Sequence, residues 1–79
     1  MIIDENNLDI DKENPKYFFL LGSHFFRLDK YEEALEYFCN YLEIEKEDKD
    51  TYKYISDCLN NLGDFELSNE YYKAYLTFD

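Results

Sequence analysis

The most constraining feature of this chain is an internal repeat with a period of 34 residues. Residues 8–14 read Leu-Asp-Ile-Asp-Lys-Glu-Asn, and residues 42–48 read Leu-Glu-Ile-Glu-Lys-Glu-Asp. A period of this length is typical of repeat proteins, in which each unit buries its apolar face against its neighbour. The same shift relates further large side chains, which are Leu21 and Ile55, Phe25 and Leu59, Tyr31 and Phe65, and Phe38 and Tyr72.

The composition favours one small helical domain with an acidic surface. The 79 residues include 20% aromatic side chains but only two Gly and one Pro, a balance that favours helices over disorder. Nineteen acidic and eight basic residues give a net charge of −11. Such a charge repels phosphate backbones and anionic membranes, so we expect neither nucleic acid nor membrane as a partner. The acidic charge has two interpretations, which are a soluble surface that repels other copies and a surface that prefers a basic partner.

The chain also carries no pattern of export or membrane insertion. Residues 1–7 lack the basic and apolar segments of a signal peptide, and no apolar run is long enough to span a bilayer. Two cysteines without such a signal predict free thiols and a cytoplasmic location.

Apolar spacing predicts four helices, over residues 15–28, 31–45, 49–62 and 65–78. Asn14 and Pro15 form a suitable start for the first helix, and Asp50 and Asp64 are candidate caps for the last two. Gly63 is a suitable stop for the third. The predicted fold is all-α, with two antiparallel helical hairpins joined by short turns.

These residues resemble the tetratricopeptide repeat, an α-solenoid family with large, small and aromatic residues at fixed positions. Residues 15–48 correspond to one repeat, residues 49–79 to a second, and residues 1–14 form an extension that resembles the end of a preceding repeat. Tyr41 and Tyr75 depart from the pattern, since they replace a small residue. The matching positions are Phe18, Leu21, Gly22, Phe25, Tyr31, Ala34 and Phe38, followed by Tyr52, Ile55, Ser56, Leu59, Phe65, Ser68 and Tyr72. The small pairs expected where two helices touch are Gly22 with Ala34 and Ser56 with Ser68.

The resemblance implies a concave groove lined by the first helix of each hairpin. Its lining positions are Lys16, Phe19, Ser23, Phe26 and Arg27 in the first unit, and Asp50, Lys53, Asp57, Asn60 and Asn61 in the second.

Two phenylalanines in this groove are candidate anchors for an apolar peptide segment. We expect the hairpin core to need neither Phe19 nor Phe26, which leaves both free for a partner. The alternative is that residues 1–14 fold back and cover them through Ile2, Ile3, Leu8 and Ile10.

Some members of the family bind a terminal carboxylate through a lysine and two asparagines in this groove. The corresponding residues here are Phe19, Ser23 and Asp57, and the charge of Asp57 would repel a carboxylate. We therefore do not expect that specificity.

No residue pattern indicates catalysis, a metal or another cofactor. His24 is the single histidine and has no partner at ligand spacing, so we interpret it as a packing residue. Cys39 and Cys58 are interpreted as structural thiols. The acidic turn at residues 43–50 lacks the glycine and spacing of a calcium loop.

The sequence thus predicts a non-catalytic adaptor or co-chaperone that binds an apolar or basic partner segment in its groove. One alternative is a self-assembling module, since the last hairpin is rich in apolar residues and could pair with another copy or another protein. A narrower alternative is a chaperone of bacterial type III secretion. That resemblance rests on Phe38, Leu42, Asp48, Tyr52, Cys58, Leu62 and Gly63.

Overall fold

The computed structural model describes residues 14–78 and contains four α-helices. They are α1 (Lys16–Arg27), α2 (Tyr31–Ile44), α3 (Lys49–Asn61) and α4 (Phe65–Thr77). Each bound lies within one residue of the predicted one. The predicted extension, with the covering role given to Ile2, Ile3, Leu8 and Ile10, falls on residues 1–14, of which only Asn14 is described. None of the four helices is long and apolar enough to cross a bilayer.

Aspartate side chains cap the start of α3 and α4. Asp48 and Asp64 each accept the backbone N–H of the residue three positions later, at 3.3 Å in both cases. These bonds satisfy N–H groups that have no partner within their own helix. The prediction of Asp50 as the α3 cap is wrong, because Asp50 lies within the first turn of that helix. Before α1, the Asn14 side chain accepts the N–H of Lys16 at 3.0 Å.

The turns after α1 and α3 have the same conformation. Asp29 has a φ of 60° and Gly63 a φ of 89°, and the two residues are equivalent under the 34-residue repeat. In each turn the N–H of the next residue donates to the carbonyl five positions earlier, at 2.9 Å. This left-handed closure ends a helix and reverses the chain. Both hairpins therefore have the same connection.

The helices pack in chain order, with α1 on α2, α2 on α3 and α3 on α4. The centre of the protein lies between α2 and α3, where each helix presents an apolar stripe to the other. The buried side chains of this cluster are Ala34, Phe38, Ile55, Cys58 and Leu59.

The two hairpins achieve close helix contact in different ways. In the first, a Cβ added to Gly22 would lie 2.8 Å from the Phe38 ring, so the glycine makes room for a large buried side chain of α2. The expected contact of Gly22 with Ala34 stays a prediction. In the second, the Ser56 and Ser68 hydroxyls each donate to the other residue's carbonyl, at 2.9 and 2.7 Å. The expected contact of this serine pair is therefore present.

Tyr41 connects the two hairpins. Its side chain is 3% exposed, and its hydroxyl donates to Asp48 Oδ2 at 2.9 Å. Because Asp48 also caps α3, one carboxylate ties the end of α2 to the start of the next helix. Burial and this bond raise the pKa of Tyr41 to about 12.

Candidate partner-binding groove

One pocket of the groove lies between α1 and α3. It has a volume of about 410 Å³ and is lined by Ser23, Phe26 and Arg27 from α1 and by Tyr54 from α3. We call it the α1 pocket. Two aromatic rings form its walls, Ser23 adds little bulk, and the exposed Arg27 lies at its edge. The arrangement suits a medium-sized apolar side chain.

A second pocket lies along α3 and has a volume of about 310 Å³. We call it the α3 pocket. Asp50, Lys53, Tyr54 and Asp57 follow one another at steps of three, one and three residues, which places them on one side of the helix. Tyr75 of α4 completes the lining. This pocket combines two aromatic rings with two carboxylates and one ammonium group.

Tyr54 separates the two pockets and lines both of them. Its ring stacks on Phe38 with centroids 5.2 Å apart and planes inclined by 10°. The edges of Phe19 and Phe26 also approach it, at 5.9 and 5.6 Å between centroids. Three rings therefore hold Tyr54, the wall between the pockets, in one orientation.

Phe19 and Phe26 are not free of the core, so that part of the prediction is wrong. Both are partly buried and pack against the central cluster. Phe19 contacts Phe38 and Tyr41 at 5.8 and 5.3 Å between centroids. The reason is that both rings pack on α2 within the first hairpin, where Phe26 also contacts Tyr31 and Phe38. Tyr54 of α3 then adds a contact from the second hairpin to each ring. Phe26 still lines the α1 pocket, whereas Phe19 lines neither pocket.

The remaining predicted groove residues lie outside the two pockets. Lys16 holds its ammonium group 5.6 Å from the centroid of the Phe19 ring. Asn61 donates to the Asp57 carbonyl at 2.8 Å, and Asn60 is exposed near the end of α3.

Tyr54 and Tyr75 are pocket residues that the sequence prediction missed. Tyr54 occupies a position that the family pattern does not assign to the groove. Tyr75 did give a signal, since it stands where the family has a small residue. Its ring receives the ammonium groups of Lys49 and Lys53, at 5.6 and 6.0 Å from the centroid.

The side chains considered for catalysis are arranged for packing. His24 is half-buried, with its ring 5.2 Å from that of Phe25. Burial raises the pKa of Cys58 to about 12 and also raises that of Cys39, so both thiols stay protonated at neutral pH. Among residues 14–78, no three His, Cys, Asp or Glu side chains are grouped to hold a metal ion.

Comparison with protein-family models matches residues 15–48 to the tetratricopeptide repeat. This segment contains α1, α2 and the Asp48 cap. Residues 15–48 form a tetratricopeptide repeat. Comparisons with curated proteins and with solved structures gave no match.

Tetratricopeptide repeats are protein–protein interaction modules and are in general non-catalytic. The repeat supplies the α1 side of the groove, and α3 ends in a turn with the same left-handed closure as the turn after α1. The groove is therefore the candidate site for a protein or peptide partner.

Proposed function

We propose that this chain is a non-catalytic adaptor or co-chaperone that binds a segment of a partner protein across α1 and α3. The observation that carries the proposal is the α1 pocket, which takes its walls from both hairpins and keeps them in place through the ring contacts of Tyr54. Its two free thiols suit a reducing compartment, and we propose the cytoplasm.

Binding in this groove is stoichiometric and leaves the partner chemically unchanged. A partner inserts an apolar side chain between Phe26 and Tyr54 and displaces water from both rings. Arg27 at the edge hydrogen-bonds to polar groups of the partner backbone. Because the pocket is preformed, little conformational entropy is lost by the chain on binding.

The test fills the pocket without removing a core ring. Ser23→Gln introduces a larger side chain into the α1 pocket, and Asn69→Gln on the exposed side of α4 is the matched control. A peptide selected by display against the chain is titrated into both variants by calorimetry. We expect Ser23→Gln to weaken binding by roughly tenfold, because the larger side chain excludes the apolar anchor of the peptide from the pocket. Asn69→Gln should have no effect.

Equal affinity in the two variants, with intact helical circular dichroism, would place the binding site elsewhere. Deletion of residues 1–10 tests the self-covering alternative. If these residues occupy the groove, the deletion raises the affinity for the selected peptide. If they do not, it leaves the affinity unchanged.

Self-association is a second candidate function, favoured by the surface of α4. Three exposed apolar side chains share one face of this helix at a spacing of seven and four residues, with Phe65 and Leu76 each at 62% and Tyr72 at 43%. An exposed apolar set on one helix is typical of a protein contact surface. We propose that this surface pairs with a second copy of the chain.

A further inference from the structure

We infer that the α3 pocket binds a basic side chain, so that the preferred partner segment carries an arginine or lysine close to its apolar anchor. The inference rests on the proposed groove function and specifies the chemistry of the partner. The pocket shares the Tyr54 wall with the α1 pocket, so one short segment can occupy both.

The first argument is the lining of the cavity. Asp50 and Asp57 supply two carboxylates, and Tyr54 and Tyr75 supply two ring faces, around a volume of about 310 Å³. A guanidinium group pairs with carboxylates and also stacks on aromatic rings. An anionic side chain would meet two like charges in the same cavity.

The second argument is that cations already lie on one of these rings. The Lys49 and Lys53 ammonium groups are 5.6 and 6.0 Å from the Tyr75 centroid, within the range of a cation–π interaction. Both lysines are exposed, so moving their ammonium groups back into water costs little free energy. An arriving guanidinium group can displace them, because it is less strongly hydrated than an ammonium group and stacks as a plane.

The third argument concerns the whole chain. A net charge of −11 attracts cationic segments and repels acidic ones at long range. The local pocket and the overall field thus favour the same class of partner. A free polyamine would satisfy the charge but would leave the adjoining apolar pocket empty, so we assign the site to a peptide.

The experiment uses three pentapeptides with blocked ends, Gly-Phe-Gly-Arg-Gly and its analogues with Gln or Glu in place of Arg. Each is titrated into the ¹⁵N-labelled chain and followed by NMR. We expect the Arg peptide to bind about fivefold more tightly than the Gln peptide, and the Glu peptide to bind more weakly still. The shifts of the Arg peptide should include the backbone signals of Tyr54, Asp57 and Tyr75.

Three variants locate the effect. Asp57→Asn should remove most of the preference for Arg over Gln, whereas Glu36→Gln, which deletes the same charge from the exposed side of α2, should keep it. Lys53→Gln should strengthen binding of the Arg peptide two- to threefold, because a competing cation is removed from the Tyr75 ring. A site for anions would show the opposite sign in this last variant.

The possible results distinguish a failure of this inference from a failure of the proposed groove binding. The Arg and Gln peptides could bind equally well and shift the signals of Phe26 and Arg27. That result would support binding in the groove but contradict a preference of the α3 pocket for a basic side chain. If Asp57→Asn and Glu36→Gln lower the preference for Arg over Gln equally, the preference comes from the net charge of the chain. The inference about the α3 pocket is then also contradicted. If no peptide shifts any signal at about 10 mM, above the weakest affinity expected for such a contact, both proposals fail.

Discussion

Gly22 shows how a single hydrogen atom sets the distance between two helices. A Cβ at this position would lie 2.8 Å from two carbons of the buried Phe38 ring. Helix propensity alone predicts that Gly22→Ala stabilises the chain by about 1 kcal/mol. We expect the opposite, a loss of about 1–3 kcal/mol on urea denaturation, because the ring cannot move out of a packed core.

The double variant Gly22→Ala/Phe38→Leu provides the control for this prediction. Phe38→Leu removes the ring, so adding the Cβ of alanine in that background should cost much less than in the native chain. A similar loss in both backgrounds would mean that the Phe38 contact is not the cause.

The buried Tyr41 hydroxyl and the buried Cys58 thiol predict a loss of stability at alkaline pH. Their pKa values are raised to about 12, mainly by burial, from ordinary values of 10.0 and 9.0. Below pH 9 both groups are protonated in the folded and unfolded chain, so their stabilisation is fully present. Above that pH the unfolded chain releases its protons first, and the free energy of unfolding falls until the folded pKa is passed.

Urea denaturation at half-unit steps from pH 8 to pH 11 measures this fall. Above pH 10, Tyr41→Phe should reduce the slope of the free energy of unfolding against pH. Tyr72→Phe, which alters an exposed tyrosine, should leave that slope unchanged. A stability that stays constant over the whole range would contradict the assignment.

At the scale of the helices, Asp48 has two roles where Asp64 has one. Both residues cap a helix at 3.3 Å, but only Asp48 also accepts the hydroxyl of Tyr41, at 2.9 Å. Asp64→Ala should cost about 1 kcal/mol, the usual value of an N-cap. Asp48→Ala should cost about 2–4 kcal/mol, since it also leaves a buried hydroxyl without its acceptor.

The same denaturation series separates the cap from the tyrosine bond. In a Tyr41→Phe background the hydroxyl is absent, so Asp48→Ala should cost about as much as Asp64→Ala. Equal costs for the two aspartate variants in the native background would show that the bond to Tyr41 contributes nothing.

The helices were predictable because their signals are local. Apolar spacing and the capping aspartates act over a few residues, and the 34-residue period repeats them, so each bound was found to within one residue. The pockets were harder to predict, since the α1 pocket arises where one hairpin docks on the other and the α3 pocket needs Tyr75 from α4. Tyr54 reaches α1 only after the hairpins dock, and it adds a second wall beside Phe26, which already packs on Tyr31 and Phe38.

At the scale of the whole molecule, six of the ten predicted groove residues fall into two pockets of different chemistry. Ser23, Phe26 and Arg27 share the α1 pocket, and Asp50, Lys53 and Asp57 share the α3 pocket. The family pattern names these positions but not this division, because neither Tyr54 nor Tyr75 is a groove position in that pattern. The proposed specificity for paired apolar and basic side chains rests on that division.

The exposed face of α4 leads to a prediction about association. Apolar contact favours pairing of two copies, while a net charge of −11 on each copy opposes it. Salt screens the repulsion and leaves the apolar contact in place. We therefore expect light scattering to show a mass that rises with protein concentration and rises further when salt is added.

The variant that tests this face is Leu76→Gln, which removes an apolar side chain that is 62% exposed on α4. Leu28→Gln is its control, because Leu28 is 52% exposed but follows α1. Leu76→Gln should shift the chain towards the monomer at every salt concentration, and Leu28→Gln should not. Two observations would end the hypothesis of pairing through α4: a native chain that stays monomeric at high micromolar concentration in high salt, or an equal response of the two leucine variants. In either case the apolar side chains of α4 would have to be explained by a different partner.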